Sequence, residues 1–130
     1  MGFPVLICDD SMLARKAAQR ALPQDWNIEI SFASNGKEAL DSLRRQQFGL
    51  LLLDLTMPEM DGVEVLEQIK AEGIEVFVVV ISGDIQPQMQ QRVMALGALD
   101  FIAKPVDNLR LLKTLQGFGL YRPERLVIKT

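Results

Sequence analysis

Polar residues that can do chemistry stand directly after the short apolar runs of this sequence. Asp9 and Asp10 follow the run PVLIC, and Asp54 follows four consecutive leucines. A carboxylate beside an apolar layer costs free energy unless a partner compensates its charge. The rest of the chain therefore has to supply a partner for Asp54.

Two further apolar runs end in a hydroxyl and an ammonium group. Ser82 follows the run VFVVVI, and Lys104 follows LDFIA. If the three aspartates lie together, each close pair repels by roughly 4 kcal/mol at an effective dielectric constant near 20. One lysine does not offset all of that. Either some carboxylates stay protonated at neutral pH, or a divalent cation binds among them.

Oxygen atoms are the ligands that these positions offer, since the chain has no histidine and its one cysteine, Cys8, lies inside an apolar run. Oxygen donors favour a hard cation, and few protein ligands with room for water favour Mg²⁺ over Ca²⁺. The candidate ligands are Asp9, Asp10 and Asp54. The backbone carbonyl of Thr56 is a further candidate in the loop after Asp54.

A Mg²⁺ ion beside an aspartate, with Lys104 and Ser82 opposite, outlines a phosphoryl-transfer site. Cations compensate the charge on phosphoryl oxygens, and a hydroxyl can donate one further hydrogen bond. An aspartate at such a site can act as the nucleophile and form an acyl phosphate. Asp54 is the candidate nucleophile because it lies on a central strand, which leaves Asp9 and Asp10 to hold the metal.

Five apolar runs with the length and side-chain bias of strands alternate with five amphipathic stretches of helical period. We predict strands at 4–8, 27–33, 50–53, 76–81 and 99–103. This alternation implies an α/β fold, a doubly wound five-stranded parallel sheet with five helices on two faces. The first, third and fourth strands are nearly all apolar and belong in the centre, which fits the order 2-1-3-4-5. The carboxyl ends then meet at one edge, where ligands bind.

Composition fits one domain, with 130 residues and 48% apolar residues. The net charge of −3 argues against direct binding of nucleic acid. The longest apolar run is far too short to span a membrane, no signal peptide is evident, and a lone cysteine suits a reducing compartment, so we expect a cytoplasmic protein. We place the domain at residues 1–118. Residues 119–130 either pack on it as a tail or begin a linker.

Four features together resemble the receiver domain of bacterial two-component response regulators, the CheY-like family. They are Asp9-Asp10, the D-x-x-M-P-x-M-D-G stretch from Asp54 to Gly62, Ser82-Gly83 and Lys104-Pro105. The similarity runs from about residue 5 to about residue 118. The flavodoxin-like order 2-1-3-4-5 is known for this family, so it is no independent prediction.

The resemblance implies a signalling switch that accepts a phosphoryl group on Asp54 from a sensor histidine kinase or a phosphotransfer protein. Mg²⁺ would be held by Asp9, Asp10, Asp54 and the carbonyl of Thr56. Lys104 would bind a phosphoryl oxygen. The domain would catalyse its own phosphorylation without turning over an external substrate, so we do not expect an enzyme.

The family also implies how the switch is read. Ser82 moves toward the phosphoryl group, the aromatic residue at Phe101 turns inward behind it, and the surface of helix 4, strand 5 and helix 5 changes to control a downstream protein or an output domain. Many members carry Tyr where this chain has Phe101. The Lys104-Pro105 peptide bond is expected to be cis. We interpret Asp84 as the N-cap of the fourth helix rather than as a residue that orients water.

Two alternatives come from other functional classes. A Mg²⁺-dependent phosphohydrolase with an aspartyl-phosphate intermediate would need an acid two residues after the nucleophile, where this chain has Thr56. A flavin or nucleotide binder of the same fold would need a first loop that cradles phosphate. That loop opens here with Asp9 and Asp10, which repel phosphate in the absence of a metal.

Overall fold

The structure is a computed structural model and describes residues 2–122. Its strands are β1 (Phe3–Cys8), β2 (Ile28–Ala33), β3 (Leu50–Leu53), β4 (Phe77–Ser82) and β5 (Asp100–Ala103). Every neighbouring pair is parallel, and the order is β2-β1-β3-β4-β5. The predicted sheet is confirmed, with strand ends shifted by about one residue, as is usual for such boundaries.

Helices follow each strand: α1 (Met12–Ala21), α2 (Gly36–Arg45), α3 (Gly62–Glu72), α4 (Pro87–Ala95) and α5 (Asn108–Gly117). Successive side chains of a strand point to opposite faces of the sheet. Because the central strands are apolar throughout, both faces are buried under helices. One face packs against α1 and α5, and the other packs against α2, α3 and α4. Among the described residues, no helix is long and apolar enough to cross a membrane.

The loop after Asp54 is fixed by the start of α3. The Asp61 side chain accepts the N–H of Glu64 (2.9 Å), and the Glu64 side chain accepts the N–H of Asp61 (3.0 Å), which forms a capping box. The N–H of Gly62 donates to the carbonyl of Leu55 (3.0 Å). These bonds hold the loop close against the end of β3.

The prediction that Asp84 is the N-cap of the fourth helix is wrong. The N-cap of α4 is Gln86, which makes no side-chain capping bond, and Pro87 takes the first helical position. A proline forces the preceding residue out of the helical region, so the helix cannot begin earlier. Asp84 instead accepts the N–H of Gln86 (3.2 Å) in the turn before the helix.

The residues after α5 return to the opposite end of the sheet. Tyr121 is 6% exposed, its ring packs edge-on against Trp26, and its hydroxyl donates to Asp25. Trp26 in turn stacks on Phe3 at the start of β1. The domain boundary at residue 118 stays a prediction, and residues 123–130 of the predicted tail lie outside the described residues.

Replacing Gly62 by Ala should prevent the loop after Asp54 from closing. A Cβ atom at this position would lie 2.3 Å from the carbonyl oxygen of Asp54 and 2.8 Å from the Cα of Leu55. Because both neighbours are backbone atoms, we expect a loss of at least about 3 kcal/mol in the free energy of unfolding, measured by urea denaturation.

Gly117→Ala is the matched control. A Cβ at Gly117, the last residue of α5, meets no atom within 4 Å, and the change should be neutral or stabilising by up to about 1 kcal/mol. A Gly62→Ala protein as stable as wild type would show that the loop does not pack as described.

Candidate functional site

The strand register places Asp9 and Asp54 side by side. Cys8 and Leu53 are paired at the ends of β1 and β3, and the N–H of Asp54 donates to the carbonyl of Cys8 (3.0 Å). Asp9 donates its own N–H to the carbonyl of Ala33 on β2 (3.1 Å). Both carboxylates therefore project from rigid backbone at one edge of the sheet.

Lys104 reaches the same edge from β5. Its N–H donates to the carbonyl of Ser82 (2.9 Å), and its peptide bond to Pro105 is cis, as the family resemblance implied. The ammonium Nζ lies 2.7 Å from Asp9 Oδ2 and 3.3 Å from Asp54 Oδ1. Burial by itself lowers the pKa of Lys104, but the hydrogen bond to Asp9 and the charges of both aspartates raise it above its ordinary value.

Asp9, Asp10 and Asp54 form an acid cluster that fits a hard dication. Each offers a carboxylate oxygen, and these oxygens lie within 4.8 Å of one another. Burial, followed by the charge of Asp9, raises the pKa of Asp54, although Lys104 and the N–H of Thr56 oppose the shift. One ammonium thus leaves the cluster short of positive charge, and an oxygen-only donor set is the kind that Mg²⁺ takes.

The remaining predicted site residues surround this cluster at different depths. Ser82 is fully buried at the end of β4, and its hydroxyl accepts the N–H of Asp84 (3.0 Å). Thr56 is exposed in the loop above Asp54. Phe101 is half-buried beside Val80 and packs against the core on the α2, α3 and α4 face. The roles assigned to these residues stay predictions.

Cys8 lies directly beneath the cluster without a chemical role. Its Sγ is buried and lies 3.4 Å from the sulfur of Met57. Burial, together with the charges of Asp9 and Asp54, raises the pKa of Cys8 to about 12. The thiol is therefore protonated at neutral pH and unreactive.

Arg15 is a contact of the site that sequence reasoning missed. Its Nη1 donates to the backbone carbonyl of Asp9 (2.7 Å). Helical side chains lean toward the amino end of their helix, so an arginine one turn after the N-cap Ser11 is placed to reach back to β1. The four-residue spacing from Ser11 to Arg15 could therefore have predicted this contact.

An apolar cleft of about 410 Å³ opens beside the acid cluster. Leu13, Ala14 and Ala17 of α1 form one wall, and Pro105 and Val106 form the other. Leu13 is 77% exposed at its rim. An exposed apolar rim next to a charged site is typical of a surface that a protein partner covers.

The response regulator receiver domain family matches residues 5–116 of the chain. The transcriptional regulatory protein ZraR of Escherichia coli (strain K12) is 32% identical over 115 residues, which are 88% of this chain and 26% of that protein. A protein-glutamate methylesterase/protein-glutamine glutaminase of Treponema pallidum is 39% identical over 107 residues, 80% of this chain and 27% of that protein. The chain spans about a quarter of the length of these curated relatives.

Solved structures agree with this similarity. A chain of the CheX-CheY-BeF3-Mg²⁺ complex from Borrelia burgdorferi has a TM-score of 0.83 and 29% identity, with 92% of this chain and 90% of that chain covered. The chemotaxis response regulator CheY4 of Vibrio cholerae has a TM-score of 0.78 and 28% identity, with 90% and 98% covered. With its sheet order and its acid cluster at the carboxyl edge, the chain belongs to the response regulator receiver domain family.

Proposed function

We propose that the domain is a phosphorylation-activated switch whose phosphoacceptor is Asp54. One observation carries this proposal: the Asp54 carboxylate is only 5% exposed, lies among two other acids, and has a raised pKa. Such a group is costly to keep for stability alone, and perturbed carboxylates of this kind concentrate at reactive sites. Lys104, 3.3 Å away, is placed to hold a phosphoryl oxygen.

By analogy with the receiver domain family, the phosphoryl donor would be a phosphohistidine on a sensor histidine kinase or a phosphotransfer protein, which fits a chain that has no histidine of its own. A carboxylate oxygen of Asp54 attacks phosphorus, and the O–P bond forms as the P–N bond breaks. The imidazole leaves with the electron pair and takes up a proton from solvent. The product is an acyl phosphate on Asp54.

Asp9, Asp10 and Asp54 would hold Mg²⁺, with the backbone carbonyl of Thr56 as a further ligand. When bound, the ion compensates the negative charge that the carboxylates and phosphoryl oxygens bring together. Lys104 now shares its ammonium between Asp9 and Asp54. In the phosphorylated domain that ammonium would bind a phosphoryl oxygen and compensate part of its charge.

Ser82 and Phe101 are the residues proposed to report phosphorylation. The Ser82 hydroxyl can donate a hydrogen bond to a phosphoryl oxygen, and Phe101 lies on the neighbouring strand. The carbonyl of Phe101 accepts Arg110 Nη2 (3.3 Å), and Arg110 also pairs with Asp100. A shift at Ser82 is thereby proposed to alter the surface formed by α4, β5 and α5, with two arrangements a few kcal/mol apart.

That surface would control a downstream protein or an output domain in a cytoplasmic two-component pathway. The domain modifies itself and turns over no external substrate, so we do not assign it as an enzyme. The alternative, a Mg²⁺-dependent phosphohydrolase, lacks the acid it needs, because Thr56 stands at that position.

Asp54→Asn should abolish acyl-phosphate formation. The amide is neither nucleophilic nor charged, so incubation with acetyl phosphate and Mg²⁺ should leave the mass of the intact protein unchanged. Asp61→Asn is the matched control, since Asp61 caps α3 in the same loop and asparagine caps equally well. Phosphorylation of Asp54→Asn at the wild-type level would place the acceptor elsewhere.

Asp54→Asn should also stabilise the metal-free protein at neutral pH. A raised folded-state pKa means that the folded state binds its proton more tightly, so stability falls as pH rises through the interval above the unfolded value. The variant should therefore have a higher Tm than the wild type at neutral pH, and the difference should vanish near pH 4.

Asp100→Asn is the control of opposite sign. Burial alone would raise the pKa of Asp100, but the hydrogen bonds from Arg110 and Thr114 lower it, so its charge stabilises the fold at neutral pH. This variant should be less stable than the wild type at pH 7, and the difference in stability between the two proteins should disappear as the pH falls below about 4. Thermal melts at several pH values measure the Tm difference of each variant from the wild type. If both variants shift the Tm in the same direction at neutral pH, the electrostatic description of the site is contradicted.

A further inference from the structure

Asp9 is held at four of its atoms. Its N–H donates to Ala33, its Oδ1 accepts the N–H of Ser11 (3.0 Å), and its Oδ2 accepts Lys104 Nζ (2.7 Å). The fourth contact is the bond from Arg15 Nη1 to its backbone carbonyl (2.7 Å). Three of these bonds are expected from strand pairing, a local turn in which the Asp9 side chain accepts the N–H two residues on, and the ion pair, whereas the fourth is a dedicated side-chain contact.

The geometry of α1 lets Arg15 make this contact without strain. Ser11 is the N-cap of α1, its hydroxyl accepts the N–H of Ala14 (3.2 Å), and its carbonyl accepts the N–H of Arg15 (2.9 Å). Arg15 therefore lies one turn into the helix with its side chain directed back toward β1. Its planar guanidinium offers several N–H donors over a long reach, which an ammonium does not match.

Arg15 carries a positive charge that acts on groups at the end of β1 and at the start of α2. The pKa of Glu38, at the start of α2, lies below its ordinary value chiefly because Ser34 donates its N–H and hydroxyl to it, and the charge of Arg15 adds to that shift. Arg15 therefore stands between the turn after β1 and the turn after β2. A cation there would be expected to disfavour a second cation among the aspartates.

We propose that Arg15 is a positioning residue for Mg²⁺: by holding the Asp9 carbonyl, it fixes the turn that presents Asp9 and Asp10 to the metal. This inference rests on the proposed function, because it presumes that those aspartates bind Mg²⁺. Groups that orient metal ligands without touching the metal commonly account for 10-fold or more of the affinity. The contact that carries this role is with the backbone carbonyl of Asp9 and not with a carboxylate oxygen of the acid cluster.

The direction in which the Mg²⁺ affinity changes when Arg15 is replaced distinguishes a positioning role from a purely electrostatic one. If Arg15 acts only as a nearby cation, its removal strengthens Mg²⁺ binding because a repulsive charge is lost. If Arg15 positions Asp9, its removal weakens Mg²⁺ binding in spite of the lost repulsion. A merely structural role would change the unfolding temperature and leave the Mg²⁺ affinity of the folded protein unchanged.

The experiment titrates Mg²⁺ into metal-free protein by isothermal titration calorimetry at neutral pH. Arg15→Met keeps much of the aliphatic stem and loses the donors and the charge, and we expect its Kd to rise about 3- to 10-fold. Arg15→Lys keeps the charge and a donor, and its Kd should lie between those of the wild type and Arg15→Met.

Lys16→Met is the matched control, because Lys16 is an exposed cation at the next position of α1. Its loss should leave the Mg²⁺ affinity unchanged or slightly stronger. Should Arg15→Met fail to fold, Arg15→Gln replaces it, and a Kd above that of Arg15→Lys supports the proposal. A Kd at or below the wild-type value for either neutral variant overturns it.

Failure of the proposed function gives a different result from failure of this inference. Wild-type protein that shows no Mg²⁺ binding and no phosphorylation of Asp54 removes the proposed function and this inference together. Wild-type protein that binds Mg²⁺ and is phosphorylated, beside an Arg15→Met variant that binds Mg²⁺ equally well, removes only the role of Arg15.

Discussion

Repulsion among carboxylates at the carboxyl edge of the sheet is the constraint on which the rest of this structure depends. Three aspartate oxygens lie within 4.8 Å of one another, and Lys104 pairs with two of these residues. Burial, followed by the charge of Asp9, raises the pKa of Asp54 in spite of the opposing charge of the Lys104 ammonium. The metal-free site therefore favours whatever adds positive charge to it, which is the physical basis for the proposed coupling between a metal ion, phosphorylation and conformation.

Carboxylates that repel one another stay together only if their supports cannot move apart. Asp9 and Asp54 are joined through the backbone bond between β1 and β3, and those strands are buried on both faces. The capping box of α3 and the close approach of Gly62 to the Asp54 carbonyl hold the following loop. Burial of the apolar centre of the sheet thus offsets the unfavourable repulsion among the aspartates at its carboxyl edge, as is common at functional sites.

Much of this arrangement could be predicted from local pattern. Apolar runs ending in Asp9, Asp54 and Lys104 marked the strands, and parallel topology brought their ends together. The apolar character of the first, third and fourth strands fitted the order 2-1-3-4-5, which is also the order known for the family, and the family resemblance supplied the cis bond at Lys104. Other features depend on contacts distant in sequence or on competing local effects. Pro87 sets the start of α4 in place of Asp84, and the hydroxyl of the buried Tyr121 pairs with Asp25, 96 residues earlier in the sequence. The contact between Arg15 and Asp9 could have been predicted from helix geometry, although no sequence motif indicates it.

The most direct test of the central claim is the pKa of Asp54 itself, followed by NMR of its carboxyl carbon across pH with and without Mg²⁺. We expect a value above the ordinary range for aspartate in the metal-free protein and a marked fall when Mg²⁺ is added. An ordinary pKa that Mg²⁺ leaves unchanged would contradict the account, because the acid cluster would then need no cation.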